Sequence, residues 1–190
     1  MIGQNGAMPD GTTAVPITGD DDADRLLADE PLALLIGMLL NQQMPLERAF
    51  HAPYDLKERL GGRLDAAAIA SADPDVLADL FAEPPALHRA SGPMASRTQE
   101  VCRTVVNDYG GDAAAIWTTA ATGEDLFFRL SALPGFGAQK ARVLMIILSD
   151  HLGVAPPGTA EVTGPQRNRE FFSISPAPKT MIDGKWTRVK

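Results

Sequence analysis

A chain of 190 residues, 45% apolar and 22% charged, can bury one well-packed domain or two small helical lobes on a shared core, which excludes a disordered or fibrous chain. Its single cysteine, Cys102, excludes an internal disulfide framework, an all-cysteine zinc site and an iron-sulfur cluster held by four thiolates of this chain. The formal net charge of −7 argues against broad attraction to nucleic acid, yet six Lys or Arg against two acids give Gly164 to Lys190 a net +4 and leave −11 on residues 1–163.

Residues 1–22 hold four glycines and three consecutive aspartates, without the basic opening or apolar stretch of a secretory signal. They read as a flexible N-terminus of a cytoplasmic protein. The longest apolar run, Leu32 to Leu40, is nine residues interrupted by Gly37, against the ~20 that span a bilayer, so no membrane role is expected. Pro31 can open that run as a helix with Leu32, Leu35, Ile36, Leu39 and Leu40, buried nearly all round and ending near Asn41-Gln42-Gln43. Asp73-Pro74 is a helix start, with Val76, Leu77, Leu80 and Phe81 on one face and Pro84-Pro85 as the stop. Ser96 to Tyr109 is a further helix, with Val101, Val105 and Val106 inward and Gly110-Gly111 as its cap. Glu124 to Leu130 and Ala138 to Leu152 form a helix pair around a tight turn.

An all-α protein follows, with a helical domain over 23–153 and no internal repeat. Beyond Gly153 the breaker cluster Val154 to Gly158 begins a basic, weakly ordered tail, 154–190, which Phe171, Phe172 and Trp186 could dock on the body. His51, His88 and His151 show no short metal spacing, and neither metal nor cofactor is expected.

The turn Leu133-Pro134-Gly135-Phe136-Gly137 carries the functional argument. Two glycines two apart admit positive φ and let another molecule's backbone approach. Leu133 and Phe136 can anchor the turn, while the helix starting near Ala138 offers unpaired amides and its positive dipole end to a phosphate. Lys140 adds a charge in the first turn. An ordinary helix-helix connection uses the same residue types.

This pattern, Leu-Pro-Gly-aromatic-Gly followed by x-x-Lys-Ala, resembles the helix-hairpin-helix motif of the DNA base-excision glycosylases that include endonuclease III and the adenine glycosylases. Leu34 to Gln43 looks like that superfamily's early helix with its Gln-Gln ending, and Ser96-Arg97 through Tyr109-Gly110-Gly111-Asp112 like its middle helix. The likeness covers residues 24 to 153 and points to a bacterial branch without the iron-sulfur module. It implies two helical lobes with a cleft for a flipped nucleotide, and a monomer acting on double-stranded DNA with a damaged or mismatched base. The DNA-contacting positions implied are Leu133, Pro134, Gly135, Phe136, Gly137, Gln139 and Lys140, with Gln42 or Gln43 either filling the gap in the stack or capping its helix.

Two departures matter. Where bifunctional members carry a catalytic lysine, this chain has Gln139, and Lys140 is turned from that position by ~100° on a helix. Where most members carry an aspartate in a Gly-x-Pro-x-Asp-like stretch, Val154 to Ala160 contains no acid. The candidates for the chemistry are therefore Glu161, Asp150 and Lys140. Phe50, Tyr54, Trp117, Phe127 and Phe128 are either core residues or a stacking surface for a base, with Phe127 and Phe128 favoured as core. Cys102 reads as a small core residue. The implied activity is hydrolysis of an N-glycosidic bond by a monofunctional glycosylase. The alternatives are an inactive module that binds distorted duplex, or a helical protein-interaction domain that keeps the turn for packing.

Overall fold

The computed structural model describes residues 14–164, together with the backbone of 179–182 and 185–188. The helices are α1 (Asp21–Asp29), α2 (Pro31–Leu40), α3 (Leu46–Arg59), α4 (Ala66–Ser71), α5 (Pro74–Ala82), α6 (Ser91–Tyr109), α7 (Ala115–Thr118), α8 (Gly123–Ser131), α9 (Gly137–Leu152) and α10 (Thr159–Thr163).

Local chemistry sets the helix starts. Asp20, Asp65 and Asp73 each accept two backbone amides at the openings of α1, α4 and α5, satisfying donors that have no partner inside the helix. Pro31 sits at the first position of α2, and every residue from Leu32 to Leu40 is buried. A helix apolar on all sides must lie at the centre of the molecule. Helix α2 packs on α1 and α3, α4 and α5 pack on α6, and α8 and α10 pack on α9. Because α2 touches both α6 and α9, it joins two helical groups through one continuous core.

Several expectations need correction. Val76 is 57% exposed while Leu77 and Phe81 are buried, because a helix packed through one narrow stripe turns adjacent positions ~100° apart. Phe128, favoured as core, is 73% exposed, and its neighbours Leu126 and Leu130 take the buried positions. Helix α6 starts at Ser91, ahead of Ser96, and α3, with Pro53 inside it, was not expected although its buried Ala49, Phe50, Ala52, Pro53 and Leu56 recur at helical spacing.

Residues 14–22 are not a free N-terminus. Val15 and Ile17 are buried, and the Asp24 carboxylate accepts from the amides of Ile17 at 3.1 Å and Thr18 at 2.7 Å. Residues 1–13 lie outside the described residues. The segment 154–190 also carries regular structure, namely α10 and two antiparallel strands, β1 (Lys179–Ile182) and β2 (Lys185–Arg188), with Lys179 opposite Arg188 and Ile182 opposite Lys185. The suggested docking through Phe171, Phe172 and Trp186 falls outside the described side chains. No helix among the described residues is long and apolar enough to cross a membrane.

Candidate nucleic-acid interface

The hairpin between α8 and α9 is anchored as its residue types dictate. Leu133 and Phe136 are buried, and the Phe136 amide donates to the Leu133 carbonyl at 3.1 Å. Gly135 and Gly137 adopt φ of 76° and 74°, in the left-handed region where a side chain is strained. A Cβ on Gly135 would come within 2.8 Å of Leu39 Cδ1, so the turn lies directly on the end of α2. Phe136, at the N-cap of α9, has no side chain able to cap it, and Gly137, Ala138 and Gln139 are exposed. The opening amides of α9 therefore have no side-chain partner and can receive an anion.

Beside this hairpin, Asn41-Gln42-Gln43 leaves α2. Gln43 has φ 58°, the only non-glycine in that region among the described residues, a conformation that costs about 1–2 kcal/mol. Neighbouring groups hold it. The buried His88 ring donates from Nε2 to the Gln42 carbonyl at 2.9 Å, and this tautomer is set because Nδ1 accepts the Ala90 amide at 2.9 Å. Arg97 Nη1 donates to Gln42 Oε1 at 3.1 Å, and Arg89 Nη2 donates to Gln43 Oε1. The loop carrying His88 and Arg89 is itself gripped from α3. Arg59 donates to the carbonyls of Leu80 at 2.6 Å and Pro85 at 2.8 Å, and Arg48 to that of Ala86 at 3.0 Å.

Lys140 Nζ donates to the Leu39 carbonyl at 2.6 Å. Burial, and secondly the nearby Arg97 charge, lower its pKa to about 8. Its amine therefore faces the carboxyl end of α2, whereas Gln139, one position earlier, faces solvent. Lys140, Arg97 and Arg89 bring positive charge to the Gln42–Gln43 turn and the hairpin, a local concentration on an acidic body.

The three candidates for chemistry are not brought together. Asp150 is exposed ten residues along α9 from Lys140, a rise of ~15 Å. Glu161 is exposed on α10, where it lines a cleft of about 580 Å³ with Glu124, Phe127 and Arg142. The Arg142 guanidinium stands 4.8 Å from the centroid of the Phe127 ring. Arg142 follows Gln139 by three residues, so the two share a helix face and the Glu161 cleft adjoins the Gln139 side of α9.

Phe50 and Trp117 are core residues, Tyr54 is half-buried against His51, and Cys102 is buried with its thiol pKa pushed up to about 12, chiefly by desolvation. No set of three His, Cys, Asp or Glu among the described residues is placed to hold a metal ion. The residues that sequence reasoning missed are His88, Arg89 and the role of Arg97. No motif marks them, because their partners, Gln42 and Gln43, lie 46 to 55 positions away.

No family model and no curated protein matches the chain. Among solved structures it is similar to a thermostable thymine-DNA glycosylase, at 19% identity and a TM-score of 0.44, over 65% of this chain and 48% of that one. It is also similar to endonuclease III in a trapped covalent intermediate with DNA, at 17% identity and a TM-score of 0.45, over 77% of this chain and 67% of that one. The chain thus spans about half the length of the thymine-DNA glycosylase it matches.

Proposed function

We propose that this protein binds duplex DNA where a base is damaged or has lost its pairing, acting as a monomer, and that it hydrolyses the N-glycosidic bond of the extruded base. The observation that carries the binding reading is the strained Gln42–Gln43 turn, held by Arg89, Arg97 and His88 beside the open amides of the hairpin. Strain at an exposed position persists where surrounding contacts over-determine it, and such positions cluster at ligand sites. The hairpin amides would hold a phosphate, which positions the duplex without reading sequence, and a glutamine would enter the gap that the extruded base leaves.

For the chemistry, Glu161 is the candidate base. Its carboxylate would take a proton from water as the water oxygen bonds to the sugar C1′, and the base would leave with the electron pair of the broken C–N bond and be protonated. Gln139 lacks an amine, and Lys140 is engaged on Leu39, so a Schiff-base route is not proposed. Glu161 lines a cleft with Arg142 that neither Gln42 nor Gln43 lines, which favours a second reading: a binding module without turnover.

Single-turnover base release from duplexes carrying alkylated, deaminated or oxidised bases, with binding followed in parallel, separates them. Release that disappears in Glu161→Gln while binding persists supports the glycosylase reading. Unchanged turnover in that variant removes Glu161 from the chemistry. Binding without release from any duplex supports the inactive module. Absence of binding overturns both and leaves the hairpin as a packing turn, the interaction-domain reading.

A further inference from the structure

A guanidinium offers donors only, so the atom it meets on a carboxamide must be the oxygen. Arg97 satisfies this at Gln42 and Arg89 at Gln43, and no described residue accepts from either glutamine nitrogen. Both glutamine side chains are exposed. Neither arginine forms an ion pair with a carboxylate among the described residues, and neither do Arg59, Arg103 and Arg142. Two arginines on separate elements, one in the loop before α6 and one on α6, thus converge on two consecutive neutral amides, while the backbone between those amides is held by His88 and by the left-handed turn at Gln43.

We propose that Arg89 and Arg97 are positioning residues, which turn the Gln43 and Gln42 carboxamides so that their N–H2 groups form an outward pair of donors for the acceptor edge of a base that has lost its partner. The ligand in this statement rests on the duplex-binding reading above; the orientation does not. A glutamine free to rotate about its last torsion offers oxygen and nitrogen equally and discriminates nothing. With its oxygen turned to an arginine, it presents its N–H2 outward. The turn then favours carbonyl and ring-nitrogen acceptors, and an unpaired base adds its pairing-edge acceptors to the groove-edge ones that a paired base already offers.

The test combines two readouts on the full chain. In the free protein, the side-chain N–H2 resonances of Gln42 and Gln43 should be ordered in the wild type and motionally averaged in Arg97→Met and Arg89→Met respectively. In binding, each variant is titrated over a salt series with a duplex holding one unpaired base and with its fully paired counterpart. The expected result is a loss of about tenfold in preference for the unpaired duplex, the value of one hydrogen bond of ~1.4 kcal/mol, with the salt slope unchanged. Equal weakening on both duplexes, with the slope reduced by about one per arginine, identifies phosphate contacts and overturns the proposal. Gln42→Glu and Gln43→Glu keep an oxygen for the arginine and remove the donors, so the preference should fall in them as well. Retained preference overturns the donor assignment. If the wild type binds neither duplex, the duplex-binding reading and the ligand named here fall together, and the resonances alone judge the positioning role: carboxamides as ordered in the arginine variants as in the wild type overturn it.

Discussion

Lys140 and Leu39, 101 residues apart in sequence, meet at 2.6 Å, the amine donating to a carbonyl in the last turn of α2. One bond thus ties the hairpin helix to the helix that delivers the Gln42–Gln43 turn. The carbonyl lies among the last four of α2, which lack intrahelical partners, at the negative end of the helix dipole.

This contact has a pH signature. Burial and the Arg97 charge hold the folded-state pKa of Lys140 at about 8, against an ordinary 10.5. Between these values the unfolded chain binds the proton and the folded chain does not, so this group makes folding more favourable as pH rises through that window. Below pH 8 both states are protonated and the contribution is flat. Denaturant unfolding of the wild type and Lys140→Met from pH 7 to 10 should show the wild type gaining relative to the variant above pH 8. A constant difference would mean that the amine is solvated.

Gln43→Gly should raise stability while weakening recognition. Glycine removes a left-handed strain of about 1–2 kcal/mol, and the exposed contact with Arg89 that it also removes is worth less. We expect a higher denaturant midpoint together with weaker binding to duplexes that contain an unpaired base. A variant both less stable and equally competent in binding would show that the turn is a packing feature.

The two hairpin glycines should respond unequally. At Gly137 an added Cβ meets nothing within 4 Å, so Gly137→Ala carries only the backbone strain, about 1–2 kcal/mol. At Gly135 the same strain is joined by a contact of 2.8 Å with Leu39 Cδ1, and Gly135→Ala should cost more. Helical content by circular dichroism should be retained in both, with duplex binding reduced. Binding at wild-type strength in both variants would remove the hairpin from the interface.

Gly123→Ala addresses α10. A Cβ there would lie 2.5 Å from the Thr159 amide nitrogen and 2.6 Å from the Gly158 carbonyl carbon, where the Gly123 amide donates to Pro157 at 2.7 Å. Backbone cannot yield as a side-chain tip does, so the 157–159 segment must shift and carry Glu161 with it. Base release should fall by more than duplex binding, as measured on the same substrate. Release unaffected by a demonstrated shift of α10 would place the chemistry elsewhere.

Helices α2, α5, α6, α8 and α9 were legible because their causes are local, whereas α1 and α4, opened just as locally by Asp20 and Asp65, were not read. Asp73 before Pro74, the apolar run from Leu32 to Leu40 and the glycine after Tyr109 each act on amides or carbonyls within a few residues, so their spacing determines the outcome. The hairpin was legible for the same reason, since Leu133, Gly135, Phe136 and Gly137 shape one turn among themselves. Periodicity placed Leu77 and Phe81 correctly but not Val76 or Phe128, because it ranks a residue's hydrophobicity and is blind to how wide a stripe the neighbouring helix covers.

By itself, then, the sequence determined the helices α2, α5, α6, α8 and α9, where the α2 and hairpin turns fall, and that no thiolate cluster of four cysteines can form from this chain. Only the tertiary structure decided what surrounds those turns: that Lys140 points at Leu39 and not outward, that Arg89, Arg97 and His88 hold Gln42 and Gln43, and that Glu161 stands with Arg142 in a separate cleft. The physical reason is range. A cap or a glycine turn is settled by bonds among near neighbours, whereas the direction of a long charged side chain is settled by whichever distant acceptor the packed helices bring within reach.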